Sequence, residues 1–381
     1  MSGALTALIS KGAQDKYLIS ENLDEAHRHF RTRYKRHSNF AQAPKLIQTV
    51  NPSEALLYTI KIPASGDILS YVWFEGPGIA TNLFYKSTID LYVGGQKIDS
   101  HRYDYLSDVW PSYLADSWTK AQEVNNKMTQ NTVDFVPLHF FFNDCRSFLP
   151  LVALKYTTIE IKIHFDATVV SGLTAAQKQA RCYGNYVFLD RPERERFAAP
   201  GVSIDFLIPQ VQTIDHDMVH VDNNVNESGG DNIIDISSFN HPVRSLFFGI
   251  PGLSNDDVND RFTFKEADII LNGVPLLEKM SPLYFHAVQN YFHSTHGIVE
   301  YDATNACPFY TRYYAYHFAL HGDDCTPSGS VNFSRLDDAR IALRGVECGS
   351  DRPANQGLTV YALSWNILRI RDGVAGILFG N

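Results

Sequence analysis

The sequence states one pattern twice. The run Ile89 to Ile98, IDLYVGGQKI, places alternating apolar residues on either side of Gly94-Gly95. The run Ala267 to Leu276, ADIILNGVPL, does the same around Asn272-Gly273, and Leu91 lies 178 residues before Ile269. A second pair agrees: Leu151-Val152-Ala153-Leu154 leading into Ile159 to Ile163 matches Val331-Asn332-Phe333-Ser334 leading into Ala339 to Leu343, with Ile161 and Ile341 separated by 180. A third, Asn185 to Leu189 against Leu358 to Leu363, closes each half at a spacing of about 175. Three landmarks in one order at nearly constant spacing imply two tandem β domains of the same kind.

Length and composition agree with that division. A chain of 381 residues exceeds what one core usually organises. With 24 Phe and 20 Tyr against 4 Met, it is richer in residues suited to pleated, half-buried surfaces than in material for long amphipathic helices. The net charge of −9 excludes a molecule covered in phosphate-binding surface, so no sequence-specific nucleic-acid partner is expected and any basic function must be local. Cys145, Cys182, Cys307, Cys325 and Cys348 are scattered without a C-x-x-C, which fits neither a zinc pattern nor a disulfide framework and suits a reducing compartment. Met1 to Ser10 lacks the basic start and cleavage site of a secretory signal, and no apolar stretch approaches the roughly 18 residues of a membrane span, so a soluble protein is expected.

Along the chain, residues 1–44 read as an N-terminal arm in which Arg28, Arg31, Arg33, Lys35 and Arg36 concentrate positive charge. Such a cluster can contact lipid phosphate, nucleic acid or an acidic partner, or can be a solvated strand balancing nearby acids. Strands follow at Lys45–Val50, Leu56–Ile62 and Ile68–Phe74, bounded by Pro, Gly, Asn or Ser, the spacing of a sandwich or barrel. A helical excursion is predicted over Pro111–Met128, carrying Trp110 and Trp118 at its start, with strands resuming at Phe135 and a short helix over Thr168–Arg181. The charged stretch Asp190–Pro200 reads as a linker, which gives a first domain at 45–190, a linker at 191–202 and a second domain at 203–381. The final stretch, Val374–Phe379, is too apolar for a free tail and is expected to be docked.

The motifs that could carry chemistry do not hold together. His216 and His220 stand at i, i+4, but Asp217 replaces the longer Glu of a zinc-protease helix, and β-branched neighbours favour a strand, where the two lie about 13 Å apart. Asp222 to Ser228 alternates oxygen ligands, yet Glu227 sits where a calcium loop needs Gly and Ile233 where it needs Glu. There is no G-x-S-x-G elbow and no Gly-rich phosphate loop. The doublets Asp256-Asp257, Asp323-Asp324 and Asp337-Asp338 would point to opposite faces of a strand and suit turns better than glycosidase pairs. No catalytic residue, no metal site and no cofactor is expected. The competing reading is a two-domain β-sandwich carbohydrate-binding protein or glycan-active enzyme, which would need a pocket with convergent carboxylates.

Particular stretches carry a family resemblance. Ser2 to Leu5, Lys11 to Leu18 and Tyr34-Lys35-Arg36-His37 to Ala41 resemble the opening of major capsid proteins of the nucleocytoplasmic large DNA viruses. The same holds for Phe148-Leu149-Pro150-Leu151, Phe239-Asn240-His241-Pro242-Val243, Pro327 to Arg335 and Tyr361 to Ile370, so the resemblance runs from residue 2 nearly to the end. The chain departs at Ala26 to Arg31, where the family has an apolar, aromatic stretch, and its connections are short for the family.

The resemblance implies an all-β fold of two tandem eight-stranded antiparallel jelly rolls with short helices in the connections. It implies a structural protein whose homotrimer forms a capsomer of pseudo-sixfold outline within an icosahedral virion shell assembled in the host cytoplasm. The partners implied are neighbouring capsomers, minor capsid proteins and an internal membrane met by the arm. The basic arm would then face the particle interior, and elaborate surface turrets are not expected.

Overall fold

A computed structural model describes residues 3–20, 22, 36–52, 56–80, 82–117, 119–120, 135–143, 147–199, 201–217, 231–251, 262–294, 313–348 and 357–380. The chain divides into two compact units, Met1–Asn39 and Phe40–Asn381. In the first, a helix over Gly3–Ile9 is followed by a 3₁₀ turn over Ala13–Tyr17, in which Asp15 accepts from the Gly12 amide at 2.5 Å, and neither element contains a buried residue.

The second unit begins with eight strands: β1 (Phe40–Val50), β2 (Leu57–Lys61), β3 (Ile68–Glu75), β4 (Thr88–Val93), β5 (Gln96–Arg102), β6 (Phe135–Pro137), β7 (Ile159–His164) and β8 (Ala180–Leu189). They form two four-stranded antiparallel sheets, β1-β8-β3-β6 and β2-β7-β4-β5. Twelve further strands follow among the described residues: β9 (Ser203–Asp217), β10 (Asn232–Asp235), β11 (Pro242–Gly249), β12 (Phe262–Thr263), β13 (Glu266–Leu271), β14 (Val274–Met280), β15 (Tyr313–His317), β16 (Val331–Asn332), β17 (Ala339–Arg344), β18 (Glu347–Cys348), β19 (Gly357–Arg371) and β20 (Val374–Ile377). Here β10-β17-β13-β14 repeats the second sheet of the first half. The first sheet is repeated by β9-β19-β11-β15, with β16 and β20 attached at its ends. Among the described residues, no sheet contains strands from both halves.

The hairpins that the sequence duplicates show why the halves agree. Gly94 and Gly95 have φ of 60° and 81°, and Asn272 and Gly273 have 49° and 74°. Two successive residues at positive φ make the turn whose twist matches the flanking strands, and only Gly or Asn enters it without strain. The turns join β4 to β5 and β13 to β14. The second landmark is repeated as well: Leu151–Ala153 and Phe333–Arg335 are both 3₁₀ turns just before β7 and β17.

Each half encloses its own core. In the first, Leu91, Ile161 and Ile163 on one sheet face Val72, Phe74 and Tyr186 on the other. In the second, Ile269, Ile341 and Leu343 face Leu246, Phe248 and Val360. Burying each such large apolar side chain contributes about 1.5–3 kcal/mol. The β11 and β19 strands depart from alternation: every residue from Val243 to Gly249 is buried, as is every residue from Leu358 to Asn366. Their second face, with Phe247, Tyr361 and Leu363, closes against the first half.

Several element boundaries differ from those the sequence predicts. Strand β1 begins at Phe40, inside the expected arm, because residues 40–45 pair in register with β8. The helix expected from Pro111 instead spans Tyr105–Leu114 with i→i+5 bonding, as in Ala115 N–H to Trp110 O at 3.0 Å, a wider turn that accommodates Pro111 in mid-helix. Trp118 and residues 121–128 lie outside the described residues. The helix expected over Thr168–Arg181 is confined to Ala167–Ser171, where the Asp166 carboxylate accepts from the amides of Thr168 and Val169, and β8 has begun by Ala180. The charged linker is itself helical over Arg191–Ala198, with Asp190 accepting from the Arg191 amide, Pro192 in the first turn and an Arg191–Glu195 ion pair at 2.7 Å.

Candidate assembly surfaces

Of the basic arm residues, Arg36 is described and exposed; Arg28, Arg31, Arg33 and Lys35 lie outside the described residues. His216 lies on β9, opposite Leu358 in the ladder, while His220 and the Asp222–Ser228 loop fall outside the described residues. Among the described residues no cluster of His, Cys, Asp or Glu is arranged to hold a metal. Asp337 and Asp338 serve a turn: both backbone amides donate to the Asn272 side chain, at 2.9 and 3.1 Å, and the Asp338 carboxylate pairs with Arg340. The Asp256-Asp257 doublet is also outside the described residues.

The interactions between the halves are concentrated in a seam that no sequence motif announces. The helix Tyr105–Leu114 and the end of β5 press on the outer face of the β9-β19-β11-β15 sheet. Tyr113 packs on Phe247 and Tyr105 on Tyr361, each with ring centroids 5.5 Å apart. Phe206 receives Phe141 and Phe148, the second edge-on at 5.4 Å. The Tyr113 hydroxyl donates to the Tyr313 carbonyl. Asp104 accepts from the hydroxyls of both Tyr313 and Tyr361 at 2.6 Å, and Arg102 lies 3.4 Å from the same carboxylate.

Burial, followed by the Asp104 charge, pushes both phenols well above their ordinary pKa, so they remain donors. Arg102 also donates to both oxygens of Asp215, at 2.7 and 2.9 Å, and Thr359 donates to the same carboxylate. Burial alone would lower the Arg102 pKa, but Tyr361, Asp104 and Asp215 outweigh it and raise it. Asp99 accepts from the Val211 amide while also bonding His101, which ties β5 to β9 through backbone and side chain together.

Beside the seam lies a cleft of about 800 Å³ whose lining includes the aromatic rings of Trp73, Trp110, Phe140 and Trp365. It also contains Arg244, the extra residue of a bulge in β11, whose buried guanidinium lies over the Trp365 ring at 4.7 Å and donates to the Asp324 carbonyl. Burial lowers the Arg244 pKa. Two carboxylates in this cleft are engaged by cations: Asp205, held low by hydrogen bonds from Arg369 despite burial acting the other way, and Asp116, paired with Lys120. A glycoside-cleaving pair needs one carboxyl held protonated, and Asp205, held low by Arg369, is not such a group.

Among the described residues, three further exposed apolar regions bear on assembly. One lies on the outer face of the β1-β8-β3-β6 sheet, where Leu46 and Tyr71 are exposed and Trp73 stacks on Tyr183 at 5.5 Å. A second is formed by Leu276, Leu283, Tyr291 and Phe292 of the second half. The third, on the helix Gly3–Ile9, carries Leu5, Leu8 and Ile9 at helical spacing.

Comparison with known proteins follows the same lines as the fold. Residues 193–376 match the family described as large eukaryotic DNA virus major capsid protein, and residues 28–190 match that described as major capsid protein N-terminus. The chain is 30% identical over 423 residues to the major capsid protein of Pyramimonas orientalis virus and 28% identical over 465 residues to that of Paramecium bursaria Chlorella virus 1; both alignments cover 100% of each chain. Among solved structures it resembles the quasi-atomic PBCV-1 virus capsid, with a TM-score of 0.74 at 22% identity over 92% of this chain and 100% of that one. It also resembles the Faustovirus major capsid protein, with a TM-score of 0.65 at 12% identity over 91% and 93%. At these identities the structural likeness concerns the fold, a double jelly roll.

Proposed function

Because the chain belongs to the large eukaryotic DNA virus major capsid proteins, we propose that it works as a homotrimer, three double jelly rolls forming one capsomer of pseudo-hexagonal outline that tiles an icosahedral shell. As a major capsid protein it is a structural subunit of the virion capsid, assembling with other capsid subunits, and its family is structural rather than enzymatic. The observation that carries the trimer reading is the duplication itself. Two like blocks per chain give three chains six like blocks, which lets one protein occupy a hexagonal position through closed cyclic symmetry.

In this reading the jelly rolls lie on either side of residues 191–202, and the segment before the first of them is an arm that faces the particle interior. There Arg28, Arg31, Arg33, Lys35 and Arg36 meet an anionic layer, either an internal membrane or acidic minor capsid proteins. Arg36 is exposed, and the helix Gly3–Ile9 ahead of the cluster offers an apolar face, features that support an anchoring role. Assembly in the host cytoplasm fits the cysteine pattern. Negative-stain electron microscopy of the purified chain tests the trimer: class averages should have six lobes, and a field of isolated two-lobed particles would contradict it.

A further inference from the structure

We propose that an apolar tip on the second half of one copy, formed by Leu276, Leu283 and Phe292, docks on the outer face of the β1-β8-β3-β6 sheet of a second copy, at Leu46, Trp73 and Tyr183. This rests on the trimer reading and adds to it the faces that meet.

The inference comes from applying the internal duplication to the seam. Ladder positions pair Ile98 with Leu276, since Leu91 faces Asp99 just as Ile269 faces Leu277. One extra residue in β14, where Lys279 has φ of 53° and Met280 faces Ala267, then moves the correspondence by one. The i→i+5 helices therefore begin at Tyr105 and Tyr284, and Asp104 corresponds to Leu283 and Tyr113 to Phe292. Ile98 and Tyr113 are buried in the seam at 2 and 3% exposure, whereas Leu276 and Phe292 stand at 45 and 68%. The second half thus carries the same projection as the first with nothing in its own chain covering it among the described residues.

The receiving face is duplicated too. In the seam Phe247 faces Tyr361 and Tyr361 faces Thr213; in the first half Trp73 faces Tyr183 and Tyr183 faces Leu46. Both sheets have a bulge three residues before the aromatic residue, at Arg244 ahead of Phe247 and at Ser70 ahead of Trp73. Phe247 and Tyr361 are fully buried, while Leu46 is 52% exposed and Trp73 and Tyr183 only half-buried.

Two polar pairs of the seam are replaced together between the two sets. Arg102 and Asp215, a bidentate ion pair, correspond to Ser281 and Thr49, so both charges vanish together. Asp104 and Tyr313, acceptor and donor, correspond to Leu283 and Phe135, so both polar atoms vanish together. The exchange leaves the face more apolar, although Tyr361, the second donor to Asp104, corresponds to Tyr183, which keeps its hydroxyl, and Thr359 corresponds to the exposed Arg181. A contact of this kind is heterologous, second half to first half, and repeated from chain to chain it closes a ring.

The test is light scattering on the full chain, wild type and Phe292→Asp, with Tyr156→Asp as a control at an equally exposed ring elsewhere. Wild type and control should be trimers, and the Phe292 variant should dissociate at least tenfold more readily while keeping its circular dichroism and melting transition as a monomer. A photo-crosslinking residue placed at 292 in isotopically labelled chains mixed with unlabelled ones identifies the partner surface. Cross-linked peptides should join one chain's residue 292 to segments 40–50, 68–75 or 180–189 of another. A stable trimer that tolerates Phe292→Asp, or cross-links that fall elsewhere, would overturn the docking and leave the trimer reading standing. A wild type that stays monomeric would remove the trimer reading itself, and the docking with it.

Discussion

Asp104 holds the seam because of what it accepts. Two buried phenols donate to one carboxylate, and neither has water to turn to if that acceptor is removed. Leaving buried donors unsatisfied costs about 1–3 kcal/mol each, so Asp104→Ala should lower the unfolding free energy by about 2–5 kcal/mol in urea titration, while Asp104→Asn, which keeps an acceptor oxygen, should lose less.

A second effect at this scale concerns acid. His317 is buried beside Ser245, with its Nδ1 2.8 Å from the hydroxyl; burial, then the nearby His293 and Arg244 charges, lower its pKa to about 3, and burial likewise lowers His286 and His139. The folded state therefore refuses protons that the unfolded chain takes up below about pH 6.5. The stability these histidines allow is complete above that value and is lost as pH falls below it, by about 1.4 kcal/mol per pH unit for each histidine left neutral in the fold. His317→Gln should flatten the decline in melting temperature between pH 6.5 and 4; an unchanged slope would show that this side chain is not the sensor.

Among the elements, legibility followed the physics of each segment. The hairpins at Gly94-Gly95 and Asn272-Gly273 were readable because the turn itself restricts the residue type. The helix Tyr105–Leu114 starts earlier than its sequence suggests, since Pro111 signals a helix start in ordinary i→i+4 geometry and here sits inside a wider turn. The doubly buried β11 gave no alternation to mark which face meets the other half, and Asp104 meets Tyr313, and Arg102 meets Asp215, only across more than a hundred residues of sequence.

The basic arm was legible as composition, and its role is open to a direct test. Replacing Arg28, Arg31, Arg33, Lys35 and Arg36 by Gln should leave the oligomer intact but abolish binding to anionic liposomes, an interaction worth about 1 kcal/mol per basic residue near such a surface and one that salt weakens. Loss of the oligomer instead, or liposome binding indifferent to salt, would make these residues part of internal packing.

At the scale of the molecule, one packing solution is used twice within the chain but completed once. The first half caps the outer face of the second half's sheet, and among the described residues the first half's own matching face remains uncovered, as does the projection proposed to cover it on a neighbour. That asymmetry is what a subunit needs if its interface is to be met by another copy of itself, and it explains how a duplicated sandwich with acidic net charge and a local basic arm serves as shell material. The most direct measurement is the mass of the purified, full-length chain by size-exclusion chromatography with multi-angle light scattering at micromolar concentration without denaturant. A trimer, three times the 43.0 kDa chain, is expected; a single species at the mass of one chain would contradict it.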